Sequence, residues 1–69
     1  MTDTELLEKY IKDSGYKKGK LADSLGISLN AFAKKVKGER EFKASEIQIL
    51  CNMLGIVEAV DKERVFFAN

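Results

Sequence analysis

The sequence contains no histidine, no proline and no tryptophan, and only one cysteine among its 69 residues. Without histidine the chain lacks the usual imidazole base of enzymes and the commonest nitrogen ligand of metal ions. The single cysteine, Cys51, cannot form a disulfide within the chain, which favours a reducing cytoplasm. The absence of proline removes the residue that most strongly interrupts helices.

Further absences narrow the classes of function. No apolar run is long enough to cross a bilayer, and the first ten residues carry acids where a signal peptide carries bases, so we expect neither a membrane protein nor an exported one. There is no glycine-rich phosphate loop, no metal-ligand spacing and no pair of carboxylates on a predicted concave surface. We therefore expect no enzyme, no metal, no cofactor and no small-molecule substrate, and we interpret Cys51 as a small buried apolar residue.

The composition itself is that of an ordinary folded domain. Hydrophobic residues make up 45% of the chain and charged residues 33%, which is far from the composition of disordered chains. This length suits one domain, near the lower limit for a core without disulfides or metals. Apolar residues recur at spacings of three and four, so the sequence predicts an all-α fold, a compact five-helix bundle that occupies residues 1–69 as a single domain.

Glycine and serine mark the expected ends of the first three helices. The first helix is predicted from about Asp3 to Ser14, with Thr2 and Glu5 as a capping box and Gly15 at its end. The second is barely two turns long and ends at Gly26. The third begins at Ser28 as its N-cap and closes at Gly38. The apolar residues that we expect these helices to bury are Leu6, Leu7, Tyr10, Ile11, Leu21, Ala22, Leu25, Phe32 and Val36.

The second half of the chain predicts one clear helix and an ambiguous tail. A polar loop anchored by Phe42 leads into a fourth helix that ends at Gly55. Because Lys43 replaces a capping residue, we expect that helix to start later, with Ser45 as part of its cap. For the tail we expect a short helix to about Arg64 and then residues 65–67 folding back, with a C-terminal strand as the alternative. The apolar face of the fourth helix comprises Ile47, Leu50, Cys51 and Leu54.

Charge is strongly divided along the chain although the net charge is only +1. Residues 17–43 contain eight basic and three acidic residues, a net charge of +5, whereas residues 1–16 and residues 44–69 each carry −2. A surface polarised in this way can meet a polyanion with its basic side. On a helical wheel of about 100° per residue, Asn30, Lys34 and Lys37 lie within about 60° of one another, opposite Phe32 and Val36. The alternative is that these lysines form an ordinary solvated surface.

The segment LADSLGISLNAFAKKVKG, residues 21–38, resembles the helix-turn-helix of the lambda-repressor-like (Cro/Xre) family of phage and bacterial regulators. The family pattern has Leu-Ala, a glycine four residues after the alanine, an aliphatic residue and serine, an apolar residue four positions later, and a closing glycine. The following GEREFKASEIQILCNMLGI resembles the loop and fourth helix of small Gram-positive phage Cro-like proteins, and the VFF ending is similar to their aromatic tail. The positions that match the helix-turn-helix pattern are Leu21, Ala22, Gly26, Ile27, Ser28, Phe32, Val36 and Gly38.

The resemblance implies which side chains read base edges in the major groove, namely those at the start of the third helix. Asn30 suits adenine, Lys34 suits guanine, and Leu29 offers apolar contact to a thymine methyl group. The plainer alternatives are a core or staple role for Leu29 and a solvated helix surface for Asn30 and Lys34.

The resemblance also implies a set of phosphate contacts. Lys18 stands at the start of the second helix, where many relatives use glutamine to hold the backbone, and the helix N-terminus itself favours an anion. Lys17 replaces the usual Ser or Thr cap of that helix. Lys37, Arg40 and Lys43 line the loop after the third helix. Solubilising charge is the alternative for each of these residues, and Lys20 and Lys35 rank below them.

The expected function is that of a sequence-specific double-stranded DNA-binding transcriptional regulator, cytoplasmic and nucleoid-associated in a bacterial host. So small a reading surface motivates a homodimer on a palindromic operator. Its apolar surface is expected among residues that equally suit the monomer core: Val57, Val60, Val65, Phe66 and Phe67. The alternative function is a protein-interaction module or antitoxin-like partner with the same fold and no specific DNA binding.

Overall fold

Five helices joined by short loops make up the part of the chain that the structure describes. The computed structural model describes residues 1–68, and none of these residues forms a strand. The helices are α1 (Thr4–Ser14), α2 (Lys18–Leu25), α3 (Leu29–Val36), α4 (Ala44–Leu54) and α5 (Ala59–Phe66). The prediction of an all-α, five-helix fold is confirmed.

Most helix ends predicted at glycine and serine are confirmed, but α3 ends at Val36 with Lys37 as its C-cap, and Gly38 follows at φ 82° instead of closing the helix directly. Gly26 follows α2 in the left-handed region at φ 72°, a conformation that glycine adopts without steric cost. Gly15 and Gly55 end α1 and α4 in the same way. The hydroxyl of Ser28 accepts a hydrogen bond from the N–H of Ala31 at 3.1 Å, and so caps α3. Local chemistry therefore sets these ends.

The predicted start of α1 is confirmed to within one residue, but its predicted cap and the predicted late start of α4 are wrong. Asp3, and not Thr2, caps α1, because the Asp3 side chain accepts from the N–H of Leu6 at 3.1 Å. Helix α4 begins at Ala44 without a contribution from Ser45, since Oε1 of Glu46 accepts from the N–H of Lys43 at 2.8 Å. Glu46 thus supplies the acidic half of a capping box, and this half is enough to begin the helix.

The core lies where α1 packs on α3, α4 and α5, and where α2 packs on α3 and α4. Nearly all of the apolar residues expected inside are buried or partly buried. The loop anchor Phe42 is buried as predicted, with its ring edge-to-face against Phe32 at 6.2 Å and against Phe66 at 5.6 Å between centroids. The buried apolar residues are Leu7, Ile11, Leu21, Ala22, Phe32, Val36, Phe42, Leu50, Cys51, Leu54, Ile56, Val65 and Phe66.

The short helix expected in the tail is confirmed, but its end and both expectations for residues 65–67 are wrong. Helix α5 does not stop near Arg64 but continues to Phe66, and it is followed by neither a folded-back segment nor a strand within residues 1–68. Val65 and Phe66 are buried, whereas Phe67 is exposed. The carbonyl of Val65 accepts from the N–H of Asp3 at 2.7 Å, which joins the two ends of the described chain. These contacts assign Val65 and Phe66 to the monomer core.

Candidate nucleic-acid interface

A tight connection holds α2 and α3 together. Only residues 26–28 separate the two helices. The N–H of Ile27 donates to the carbonyl of Ala22 at 3.1 Å, and Ala22 is itself buried where the helices meet. This connection leaves α3 at the surface with one face inward and one face outward.

The outward face of α3 carries the side chains predicted to read DNA bases. Phe32 and Val36 point inward and are fully buried. Asn30 and Lys34 are exposed, as their positions on the helical wheel predict. Leu29 is 53% exposed, which excludes the alternative of a core residue. The structure therefore places all three predicted base-reading residues on the solvent side of one helix.

The residues predicted to contact phosphates are also exposed, and they lie at the ends of helices. Lys17 precedes α2 and makes no capping hydrogen bond through its side chain, and no acidic residue lies in the first turn of that helix. Lys37 ends α3, and Lys43 precedes α4. Arg40 lies in the loop between these helices. Exposed positive charge thus lies at the C-terminal end of α3 and directly before α2 and α4.

Lys18 forms an ion pair that the sequence did not reveal. Its Nζ lies 2.9 Å from Oε1 of Glu8 on α1, with side-chain exposures of 45% and 43%. Such a solvated pair contributes about 0.2–1 kcal/mol at most. A DNA phosphate can therefore compete with Glu8 for Lys18 at small cost.

Lys35 differs from every other lysine of the basic segment because it is buried. Its Nζ lies 2.6 Å from Oε1 of Glu46, and both side chains are 7% exposed. The sequence analysis counted Lys35 in the surface charge, and the structure corrects this because the side chain is buried. The helical wheel carries a signal for this burial, since it places Lys35 about 60° from Phe32 on the inward side.

Burial alone would raise the pKa of Glu46. The hydrogen bond from Lys35, the hydrogen bond from the N–H of Lys43 and the positive charges of both residues outweigh that effect and hold the pKa below its ordinary value. Glu46 is therefore a carboxylate at neutral pH. No buried side-chain nitrogen or oxygen within residues 1–68 lacks a hydrogen-bond partner.

A second contact fixes the same end of α3. The hydroxyl of Thr4 donates to the carbonyl of Val36 at 2.9 Å, which joins α1 to the last turn of α3. Together with the Lys35–Glu46 pair, this bond ties the C-terminal end of α3 to two other helices. The outward face is therefore held in a defined orientation.

Three further features of residues 1–68 bear on other kinds of site. An open depression of about 230 Å³ on α1 is lined by Leu6, Lys9, Tyr10 and Asp13. Cys51 is buried, and burial raises the pKa of its thiol, so the thiolate that reacts is disfavoured. Within residues 1–68, no group of three acidic, cysteine or histidine side chains is arranged to hold a metal ion.

Comparisons with models of protein families, with curated proteins and with solved structures found no match to this chain. In the part of the chain that the structure describes, no helix has the length and apolar character needed to cross a membrane.

Proposed function

We propose that this chain is a sequence-specific double-stranded DNA-binding transcriptional regulator of the lambda-repressor-like type, with α2 and α3 as its helix-turn-helix. One observation carries the proposal. The polar and basic face of α3, with Asn30, Lys34 and Lys37, is exposed opposite the fully buried Phe32 and Val36. A helix presented in this way can enter the major groove without disturbing the core.

The roles of the side chains follow from their chemistry. Asn30 can bond N6 and N7 of adenine in two-point contact, and Lys34 can donate to O6 or N7 of guanine. Leu29 can pack against a thymine methyl group. The lysines and the arginine at the helix ends, Lys17, Lys18, Lys37, Arg40 and Lys43, would hold the phosphate backbone and set the register of the protein on the duplex.

The same face argues against the alternative of a protein-interaction module. The centres of protein interfaces are depleted in lysine and enriched in aromatic residues. The outward face of α3 instead carries lysine and asparagine, and Leu29 is its one large apolar side chain. This composition favours a polyanionic partner.

The variant Lys34→Ala directly tests the proposal that α3 contacts bases in the major groove. We expect Lys34→Ala to weaken binding to a duplex selected from a random pool by about tenfold to a hundredfold, because one specific base contact is worth about 1–3 kcal/mol. Binding to a scrambled duplex should change far less. A mobility-shift titration of both duplexes, with circular dichroism to establish equal helicity, gives the measurement.

Two further variants serve as controls for this test, one at a lysine outside the basic segment and one at a proposed phosphate contact. Lys9→Ala removes an exposed lysine of α1, outside the basic segment, and should leave both affinities unchanged. Arg40→Ala should weaken binding to all duplexes alike and lower the salt dependence by about one phosphate contact. Equal affinity of Lys34→Ala and the unaltered chain for the selected duplex would contradict the assignment of α3 as the reading helix.

We further propose that the protein binds its operator as a homodimer. Val65 and Phe66 are not available for this role because they lie in the core. Val57, Val60 and Phe67 remain, and all three are more than half exposed at or near the ends of α5. These three residues form the proposed dimer surface.

A charge at Val60 should break the dimer without unfolding the chain. Val60 is the second residue of α5, where an acidic side chain is favourable to the helix, so Val60→Asp should keep its stability. We expect sedimentation to show a dimer of the unaltered chain and a monomer of the variant. The unaltered chain and the variant should bind a duplex with one half-site with equal affinity. If the two chains sediment identically, residues Val57, Val60 and Phe67 are not the dimer surface.

A further inference from the structure

The two ends of the loop between α3 and α4 converge on a single oxygen atom. Oε1 of Glu46 accepts from Nζ of Lys35 at 2.6 Å and from the backbone N–H of Lys43 at 2.8 Å. Lys35 belongs to the last turn of α3, and Lys43 directly precedes α4. The carboxylate therefore joins the beginning and the end of the segment that contains Lys37 and Arg40.

This arrangement is well isolated from solvent. Both side chains of the ion pair are only 7% exposed, so water neither screens the attraction nor offers alternative partners. The backbone supports the same geometry, since the N–H groups of Gly38 and Glu39 donate to the carbonyls of Lys35 and Lys34. The path of residues 37–43 is thereby tied to the orientation of α3.

The two groups of proposed DNA contacts lie on opposite sides of this junction along the chain. Asn30 and Lys34 precede it on α3, whereas Arg40 and Lys43 lie in the loop that it closes. Phosphate contacts set the register in which base contacts are made. A shift between the loop and the helix would therefore misplace the reading side chains even if every contact residue were retained.

We propose that Glu46 is a positioning residue of the DNA interface, which fixes the distance between the reading face of α3 and the phosphate-binding loop of residues 37–43. This inference rests on the proposed function. It assigns to Glu46 and Lys35 an effect on sequence discrimination, defined as the ratio of affinities for the selected and the scrambled duplex. Neither residue touches the DNA.

The decisive variant removes the ion pair between Lys35 and Glu46 and keeps the hydrogen bond from the N–H of Lys43. Lys35→Met with Glu46→Gln leaves no unpaired buried charge, and the amide oxygen of the new glutamine can still accept from the N–H of Lys43. We expect this double variant to fold and to bind the scrambled duplex within about twofold of the unaltered chain. Its discrimination should fall by about tenfold, the equivalent of one mismatched base pair.

Three further variants separate positioning from stability. Ile11→Val lowers stability in the core of α1 and should leave discrimination unchanged when all chains are measured below their melting temperatures. Lys35→Arg keeps the cation and should retain discrimination within about twofold. Lys35→Gln with Glu46→Gln is a second variant without an unpaired buried charge, and its shorter side chain at position 35 cannot restore the spacing, so it should also lose discrimination.

The outcomes distinguish this inference from the function on which it rests. If the unaltered chain binds DNA selectively and either double variant discriminates equally well, the role of Glu46 is overturned and the proposed function stands. A loss of discrimination in Ile11→Val equal to that of the double variant would also overturn it. No selective DNA binding by the unaltered chain would overturn both.

Discussion

Replacement of Phe66 by alanine is expected to remove a large part of the stability of the protein. Phe66 is 2% exposed, and its ring packs edge-to-face against Phe42, which packs in turn against Phe32 of α3. Phe→Ala substitutions in cores cost about 3–5 kcal/mol. A chain of this size has a total stability of only about 3–10 kcal/mol. Urea unfolding followed by circular dichroism would measure the loss.

The neighbouring phenylalanine provides a matched control. Phe67 has the same chemistry but is 58% exposed, so in the monomeric Val60→Asp chain, where the proposed dimer does not contribute, Phe67→Ala should change the free energy of unfolding by no more than about 0.5 kcal/mol. A comparable loss in the two variants would mean that burial does not separate these adjacent residues. A loss of less than about 1 kcal/mol in Phe66→Ala would contradict the assignment of the end of α5 to the core.

Replacement of Lys35 by methionine is expected to be nearly as damaging. Methionine has a similar length and can fill the same space, but it leaves the carboxylate of Glu46 buried without its positive partner. Breaking a buried ion pair in this way costs about 3–5 kcal/mol. Thermal and urea unfolding at neutral pH would show the loss.

The chain contains its own control for this experiment. Lys18 forms an ion pair of similar length with Glu8, at 2.9 Å, but the two side chains are nearly half exposed. Lys18→Met should therefore cost no more than about 1 kcal/mol. If the two lysine variants lose equal stability, burial does not govern the energy of these pairs.

The same ion pair predicts the response to acid. The pKa of Glu46 in the folded chain lies below its ordinary value of 4.5. Its contribution to stability is therefore complete above about pH 4.5 and is lost as the pH falls through the lowered pKa. The difference in unfolding free energy between the unaltered chain and Glu46→Gln should be constant above about pH 5 and should shrink at lower pH. A difference that grows on acidification would contradict this assignment.

Much of the fold could be predicted because it depends on neighbours along the chain. The ends of α1, α2 and α4 follow from glycine, and the start of α3 follows from a hydrogen bond over three residues. The inward residues of α3 and α4 follow from the period of the helix. In α5 the same reasoning predicted a helix but missed its last two residues, because Asp61 and Lys62 lie one turn before Val65 and Phe66 and interrupt the apolar pattern.

The candidate site was predicted to a similar extent. The wheel assigns Asn30 and Lys34 to the outward face, and the structure has them there. The exposure of Leu29, the pairing of Lys18 with Glu8 and the burial of Lys35 are different, because each depends on which helix lies opposite. Residue type and spacing do not say which helix lies opposite, although the helical wheel does place Lys35 towards the inward side of α3. DNA binding itself stays a prediction that awaits the measurements above.

The sequence alone therefore determined the helices, most of their ends and the polarity of the face of α3, since hydrogen bonds within about four residues and a fixed helical period decide these features. Only the tertiary structure decided which of the basic residues are available at the surface and which aromatic residues close the core. The contacts responsible join residues that are distant in the chain, such as Asp3 with Val65 and Thr4 with Val36. Their free energy depends on the removal of water between helices, which no local pattern of residues specifies.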